Sequence, residues 1–201
     1  MLTPRAALWL ARALEAFRIR HYGRRDHDRD TAPQIALLAG FRPGCLRRPA
    51  RTPEVMRDYG GLLDRPHSDA KFDRYVAAYE RGGFSRWALE TLEGSFVGYA
   101  GVMTSPLPHP LGPHAQIGWR LTRSAWGHGY ATEASETALR DAFARCGLTK
   151  IFAYTGPDNS RSQAVMARLR LRRDPSRDFT ERYGAVLFRG LVWVATRSRT
   201  V

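Results

Sequence analysis

Three observations predict an α/β (α+β) fold, a mixed sheet flanked by helices. Two apolar extended runs, Trp87–Leu92 and Phe96–Met103, flank Glu93-Gly94-Ser95, the strongest hairpin signal in the chain. Ala115–Leu121 reads as a strand, Ala131, Ala134, Ala138, Leu139, Ala142, Phe143 and Cys146 recur at helical spacing up to a stop at Gly147, and Lys150–Thr155 reads as a buried strand. Strand, helix, strand is the crossover that a parallel pair needs, right-handed almost without exception. Finally, Val186–Ala195 reads as a strand antiparallel to its neighbour.

Taken in order, Ala6–Phe17 has helical spacing and Phe17–Tyr22 alternates as a half-buried strand does. Residues 23–33 are charged and turn-rich, and Gln34–Ala39 reads as one or two helical turns. Residues 40–52 hold Gly, Pro and four Arg, poor material for a packed helix. Thr52-Pro53-Glu54 supplies an N-cap, a proline at the first helical position and an acid in the first turn, for a short helix ending by Gly60-Gly61. Ser68 is expected to open a longer helix with Phe72, Tyr75, Val76 and Tyr79 on one face, stopped by Gly82-Gly83. After the hairpin, three prolines and a histidine make 104–112 a loop returning to the Ala115 strand, so three strands form a meander. Asn159 or Ser160 begins a helix carrying Ala164, Val165, Ala167 and Leu169. The division is therefore an atypical region over 1–52 and a core over 53–201 of one domain.

A chain of 201 residues has mass enough for one core without disulfides or metal. Cys45 and Cys146 make neither a disulfide framework nor a zinc set, so no metal is expected, and both are read as reduced in a cytosolic protein. No run approaches the roughly 20 apolar residues of a membrane span. Met1–Phe17 is basic and amphipathic, but Glu15 and the lack of a small-residue cleavage site argue against a targeting segment. The net charge of +13 sits at the ends: residues 1–51 carry +7, residues 161–201 carry +7, and the middle carries −1. Thirty Arg against two Lys has the look of a GC-rich codon habit. No base-reading motif accompanies the charge, so RNA or ribosome association is the less favoured partner class.

The centre of the chain is Ser124-Ala125-Trp126-Gly127-His128-Gly129-Tyr130-Ala131-Thr132-Glu133-Ala134, which joins a strand to a helix. The first helical N–H groups lack intrahelical partners and sit at the positive end of the helix dipole. Gly127 and Gly129 allow positive φ and close approach, so the turn suits a pyrophosphate; an ordinary tight connection is the alternative. No Gly-Lys-Ser/Thr follows, and Ala131 and Thr132 stand where a Rossmann third glycine would fall.

Ile117-Gly118-Trp119-x-Leu121, then Trp126-Gly127-x-Gly129-Tyr130-Ala131-Thr132-Glu133-Ala134, then Asn159-x-x-Ser162 closely resemble the GNAT family of acyl-CoA N-acyltransferases, most of all its RimJ/RimL-type branch, over about Glu54 to Arg173. The resemblance implies six to seven strands with a splayed parallel pair forming an acyl-CoA notch. It carries acetyl-CoA binding onto Trp119 and Leu121 and onto Gly127, His128, Gly129, Tyr130, Ala131 and Thr132, with Asn159 also contacting pantetheine. It implies acetyl transfer to a primary amine of a protein N-terminus or small molecule, by direct attack on the thioester, in a monomer or homodimer.

Departures from the family pattern matter for the chemistry. Ser124 stands where the family has Gln or Arg, with Arg123 adjacent. Gln116 stands where relatives carry a glutamate base, and an amide cannot take the proton. Three accounts stay open: His114, two residues earlier on the same strand face, is the base; ordered water suffices; or the protein is slow or inactive, an acyl-CoA-binding or RNA-associated protein. Ser162 is implied as proton donor to the leaving thiolate; the bland readings are an N-cap for Asn159, a first-turn hydroxyl for Ser162 and packing for Trp126. Arg170 stands where relatives close the helix with glycine; a left-handed backbone there is strained by about 1 kcal/mol.

Overall fold

Eight strands, among the described residues, form the frame on which the glycine-bearing turn is hung. The computed structural model describes residues 34–37, 52–56, 61–91, 95–105, 108–183 and 186–197, all within the unit Pro33–Val201. In chain order these form β1 (Gln34–Leu37), α1 (Pro53–Met56), α2 (Arg65–Gly82), β2 (Arg86–Glu90), β3 (Phe96–Thr104) and β4 (Ala115–Leu121). There follow α3 (Tyr130–Ala144), β5 (Lys150–Thr155), α4 (Ser160–Arg168), β6 (Arg172–Arg173), β7 (Phe179–Tyr183) and β8 (Val186–Thr196).

The sheet order is β1-β2-β3-β4-β5-β8-β6, with β7 paired to β8 off that path. Every pairing is antiparallel except β4–β5. The meander and the β4–α3–β5 crossover are as the sequence predicts. The strands β2, β3 and β4 approach closely enough to demand glycine: at Gly98 (φ 148°) a Cβ would stand 2.4 Å from the Arg120 carbonyl oxygen.

Both sheet faces are covered. On one, Phe72 and Tyr75 of α2 pack on Ala88 and Tyr99, with Tyr75 and Tyr99 in edge contact at 5.5 Å. On the other, the small residues Ala134, Ala138 and Ala142, each at most 2% exposed, bring α3 close to the sheet, where Ala134 joins Leu89, Val97, Ala100 and Leu121.

Several expectations need correction. Gln34–Leu37 is a strand, not helical turns, because β2 offers an edge that pairs with it along four residues. The long helix begins at Arg65 rather than Ser68: Asp64 caps it by accepting the His67 N–H at 2.9 Å, Pro66 sits in the first turn, and Ser68 is buried inside. The first hairpin strand is Arg86–Glu90, with a bulge between Leu89 and Glu90. Strands β6 and β7 add to those the sequence reading named. The helix over 6–17, the strand over 17–22, and the loops over 23–33 and 40–51 lie outside the described residues.

Candidate functional site

The site is built where β4 ends. The parallel pair has a single register match, Gln116 opposite Phe152, near the start of β4. Farther along, the two strands share no pair, which leaves polar backbone of β4 directed at the gap. Thr122 N–H bonds the Val97 carbonyl at 2.8 Å, so the strand period of two turns the N–H groups of Trp119 and Leu121 the other way, toward β5.

After β4 the chain makes a short 3₁₀ turn, Arg123–Ala125, and enters α3 through two left-handed glycines, Gly127 at φ 84° and Gly129 at φ 80°. Thr132 and Glu133 N–H groups both bond the Gly129 carbonyl. The N–H groups of Gly127, His128, Gly129, Tyr130 and Ala131 make no hydrogen bond with the described residues. A Cβ at Gly127 or Gly129 would meet nothing within 4 Å, so the glycines answer to backbone conformation and to open space. Donors unclaimed among the described residues thus stand at the positive end of a helix of 15 residues, an arrangement whose electrostatics suit an anion.

Side chains stiffen the cradle. His128 Nδ1 lies 2.9 Å from the Trp126 carbonyl, and its ring stacks on Tyr130 at 5.4 Å. Trp126 donates from Nε1 to the Leu121 carbonyl at 3.2 Å, while the guanidinium groups of Arg123 and Arg161 lie over its ring at 4.7 and 4.0 Å. Packing describes Trp126, yet that packing fixes two cations beside the cradle and links the turn to α4. Ser124 Oγ lies 3.3 Å from Thr122 Oγ. Thr122, Ser124, His128 and Tyr130, together with Thr91 and Phe96, line a pocket of about 320 Å³.

At the start of α4, Asn159 Oδ1 accepts the Ser162 N–H at 3.0 Å, which is the N-cap reading. The Ser162 hydroxyl is half-buried, with no bond to the described residues. The helix closes with the Leu171 N–H on the Met166 carbonyl at 3.0 Å, and Arg170 takes the left-handed conformation at φ 56°.

The α2-facing side of the sheet is polar at its centre. His114 is 8% exposed, its Nδ1 2.7 Å from the Gly112 carbonyl, and its ring meets Phe152, Tyr154 and His109. Burial holds its pKa below the ordinary histidine value, against the pull of the Gly112 bond, and so favours the neutral ring with a lone pair on one nitrogen. Neighbouring charges escaped the sequence reading. Arg86 is 6% exposed and donates from Nη1 to the carbonyls of Gly101, Gln116 (3.3 Å) and Gly118 (3.2 Å); burial pushes its pKa down. Burial would raise the Tyr99 pKa, but Lys71 and Arg120 overcome it and bring the phenol to about 7. An arginine opening an otherwise apolar strand was the available signal for Arg86; nothing local marked Tyr99 or the loop residue His109. No cluster of His, Cys, Asp and Glu able to hold a metal occurs among the described residues.

Comparison with known proteins agrees with this geometry. A family model described as an acetyltransferase (GNAT) domain matches residues 45–172. The uncharacterized protein YkkB of Bacillus subtilis (strain 168) is 29% identical over 144 residues, covering 71% of this chain and 76% of that protein. An acetyltransferase from Agrobacterium tumefaciens superposes with a TM-score of 0.69 at 24% identity, covering 90% of this chain and 99% of its own. A ribosomal-protein-S5-alanine acetyltransferase from Vibrio fischeri superposes with a TM-score of 0.61 at 11% identity, over 87% of this chain and 97% of its own. No helix among the described residues is long and apolar enough to cross a membrane.

Proposed function

The chain belongs to the GNAT acetyltransferase family, and from that premise we propose that it transfers an acetyl group from acetyl-CoA to a primary amine, in the manner of the RimJ/RimL-type branch. The observation that carries the reading is the row of unclaimed N–H groups from Gly127 to Ala131, at the head of α3 and beside the gap between β4 and β5. These groups, the His128 N–H among them, hold the pyrophosphate; Thr132, whose own N–H bonds the Gly129 carbonyl, borders the cradle in the first turn. The N–H groups of Trp119 and Leu121, with Asn159, hold the pantetheine arm. Acetyl-CoA supplies the activated acyl carbon.

The residues of this chain then manage protons. A neutral amine attacks the thioester carbon, so a proton must leave nitrogen as the N–C bond forms and another must reach the departing sulfur. Gln116 cannot take the first, so His114 Nε2 is its acceptor, and the Ser162 hydroxyl gives the second and regains it from solvent. The acceptor is a protein N-terminal amine or a small-molecule amine. By this proposal the reaction runs in the cytosol, and the active unit is a monomer or homodimer whose core is residues 53–201.

Release of free CoA on mixing the full chain with acetyl-CoA and a peptide that begins with alanine tests this reading. His114→Gln should lower kcat by about 100-fold or more, the scale of lost general-base catalysis. The second reading, an acyl-CoA-binding or RNA-associated protein without turnover, is favoured by the amide at Gln116. Binding of acetyl-CoA with no CoA release on any amine, unaffected by Ser162→Ala, would establish it instead.

A further inference from the structure

On the α2-facing side of the sheet, two buried imidazoles are sorted into opposite roles by their backbone partners. His114 Nδ1 lies 2.7 Å from the Gly112 carbonyl, which can only accept, so in the neutral ring Nδ1 carries the hydrogen and Nε2 the lone pair. His109 is the reverse. Its Nδ1 accepts the Leu111 N–H at 3.1 Å, so its Nε2 carries the hydrogen.

The side chain of His109 is 4% exposed, the rings lie 4.6 Å apart at 63°, and neither Nε2 has a hydrogen-bond partner among the described residues. An orphan donor and an orphan acceptor therefore lie side by side, whereas buried polar atoms are almost always paired. Glu181 of β7 brings a carboxylate oxygen to 4.0 Å from His109 Nε2, beyond direct hydrogen-bond range. Around the pair stand Tyr154 of β5, 5.2 Å from His109 and 5.9 Å from His114, and Arg177, 5.5 Å over Phe152. Arg86 of β2 acts on the same Tyr154.

We propose that His109, His114 and Glu181 hold one water molecule that carries the proton of the acceptor amine to His114, with His109 as its positioning residue. This rests on the reading of His114 as the base. Such a water accepts from His109 Nε2–H and from the amine N–H, and donates to His114 Nε2 and to the Glu181 carboxylate, which uses its four hydrogen-bonding positions. As the N–C bond forms, the amine proton passes to the water and one water proton passes to His114. The water is regenerated, His114 becomes an imidazolium, and nothing is oxidised. His109 cannot replace His114, because its remaining lone pair is held by Leu111 N–H. Burial also lowers the pKa of both rings, that of His109 further through His114 and against Glu181, which keeps the pair neutral.

The test uses the full chain with ¹⁵N-labelled histidine and the variants His109→Leu, His109→Gln and His114→Gln. Imidazole ¹⁵N shifts should report His114 as the Nδ1–H tautomer and His109 as the Nε2–H tautomer. The opposite tautomer at either ring overturns the proposal without any assay of turnover. With the alanine peptide, His109→Leu should lower kcat about tenfold, the effect of one lost hydrogen bond, with the acetyl-CoA KM unchanged. His109→Gln, which keeps an N–H donor, should restore most of it. A slow His114→Gln beside a His109→Leu variant of normal kcat leaves the base in place and removes the water relay. A His114→Gln variant of normal kcat removes the base reading itself.

Discussion

Replacing Arg170 by glycine should make this protein more stable. The helix α4 ends at Arg168, Leu171 is buried at 8% exposure, and the turn between them is closed by Arg170 N–H on the Ala167 carbonyl at 2.9 Å and Leu171 N–H on the Met166 carbonyl at 3.0 Å. These bonds require the left-handed backbone observed at Arg170, φ 56°. A non-glycine residue there costs about 1–2 kcal/mol. Glycine relieves that cost but adds about 0.4–1 kcal/mol of unfolded-chain entropy. The net gain is about 0.5–1 kcal/mol, since the exposed side chain makes no other bond with the described residues. For a chain of this size that raises Tm by about 1–4 °C. Thermal unfolding of wild type, Arg170→Gly and Arg170→Ala would measure it. Alanine relieves neither the φ penalty nor the entropy, and should match wild type. A glycine variant no more stable than the alanine variant would refute the reasoning, by showing that the turn is not held left-handed.

Other expected outcomes follow from the buried polar face. At Gly118 a Cβ would stand 2.9 Å from Arg86 Nη2, so Gly118→Ala should displace the guanidinium from the β4 carbonyls and cost about 1–3 kcal/mol in denaturant unfolding. Titration at 295 nm should show one tyrosine ionising near pH 7, assigned by its loss in Tyr99→Phe; absence of tyrosinate below pH 9 would contradict the pull of Lys71 and Arg120. Because the folded value of this acid lies below the ordinary 10.0, Tyr99 contributes stability that grows as pH rises from about 7 toward 10 and is lost as pH falls through 7. Ser162→Ala should slow CoA release with the peptide while leaving acetyl-CoA affinity within about twofold, since the Asn159 cap bonds the Ser162 backbone rather than its hydroxyl.

What the sequence makes legible is local. The glycines of the turn and the Asn159 cap each follow from a few neighbouring residues, and each lies where the spacing puts it, whereas the left-handed close at Arg170 is implied by the family resemblance. The exact strand Lys150–Thr155 does too, because a buried strand is a continuous apolar run. Strand β1 is not legible, since Gln-Ile-Ala-Leu suits a helix until β2 offers it an edge. Nor is the start of α2, where Asp64 lies just ahead of a proline and Ser68 is an equally good cap by type. The charged cluster on the α2 face is the largest omission. Arg86, Tyr99, His109 and Glu181 come from three strands and a loop, and only the β2-β3-β4 register and the β7–β8 pairing bring them to one face.

The central claim is that the head of α3 binds the phosphates of acetyl-CoA. Isothermal titration of the full chain with acetyl-CoA tests it most directly, beside Gly129→Ala and Gly129→Glu. Both variants bear the same left-handed strain at φ 80°, so the difference between them reports the carboxylate alone. The account predicts micromolar binding to wild type, weaker binding to the alanine variant, and none to the glutamate variant. Equal affinity for the alanine and glutamate variants, or no binding by wild type at millimolar acetyl-CoA, would contradict it.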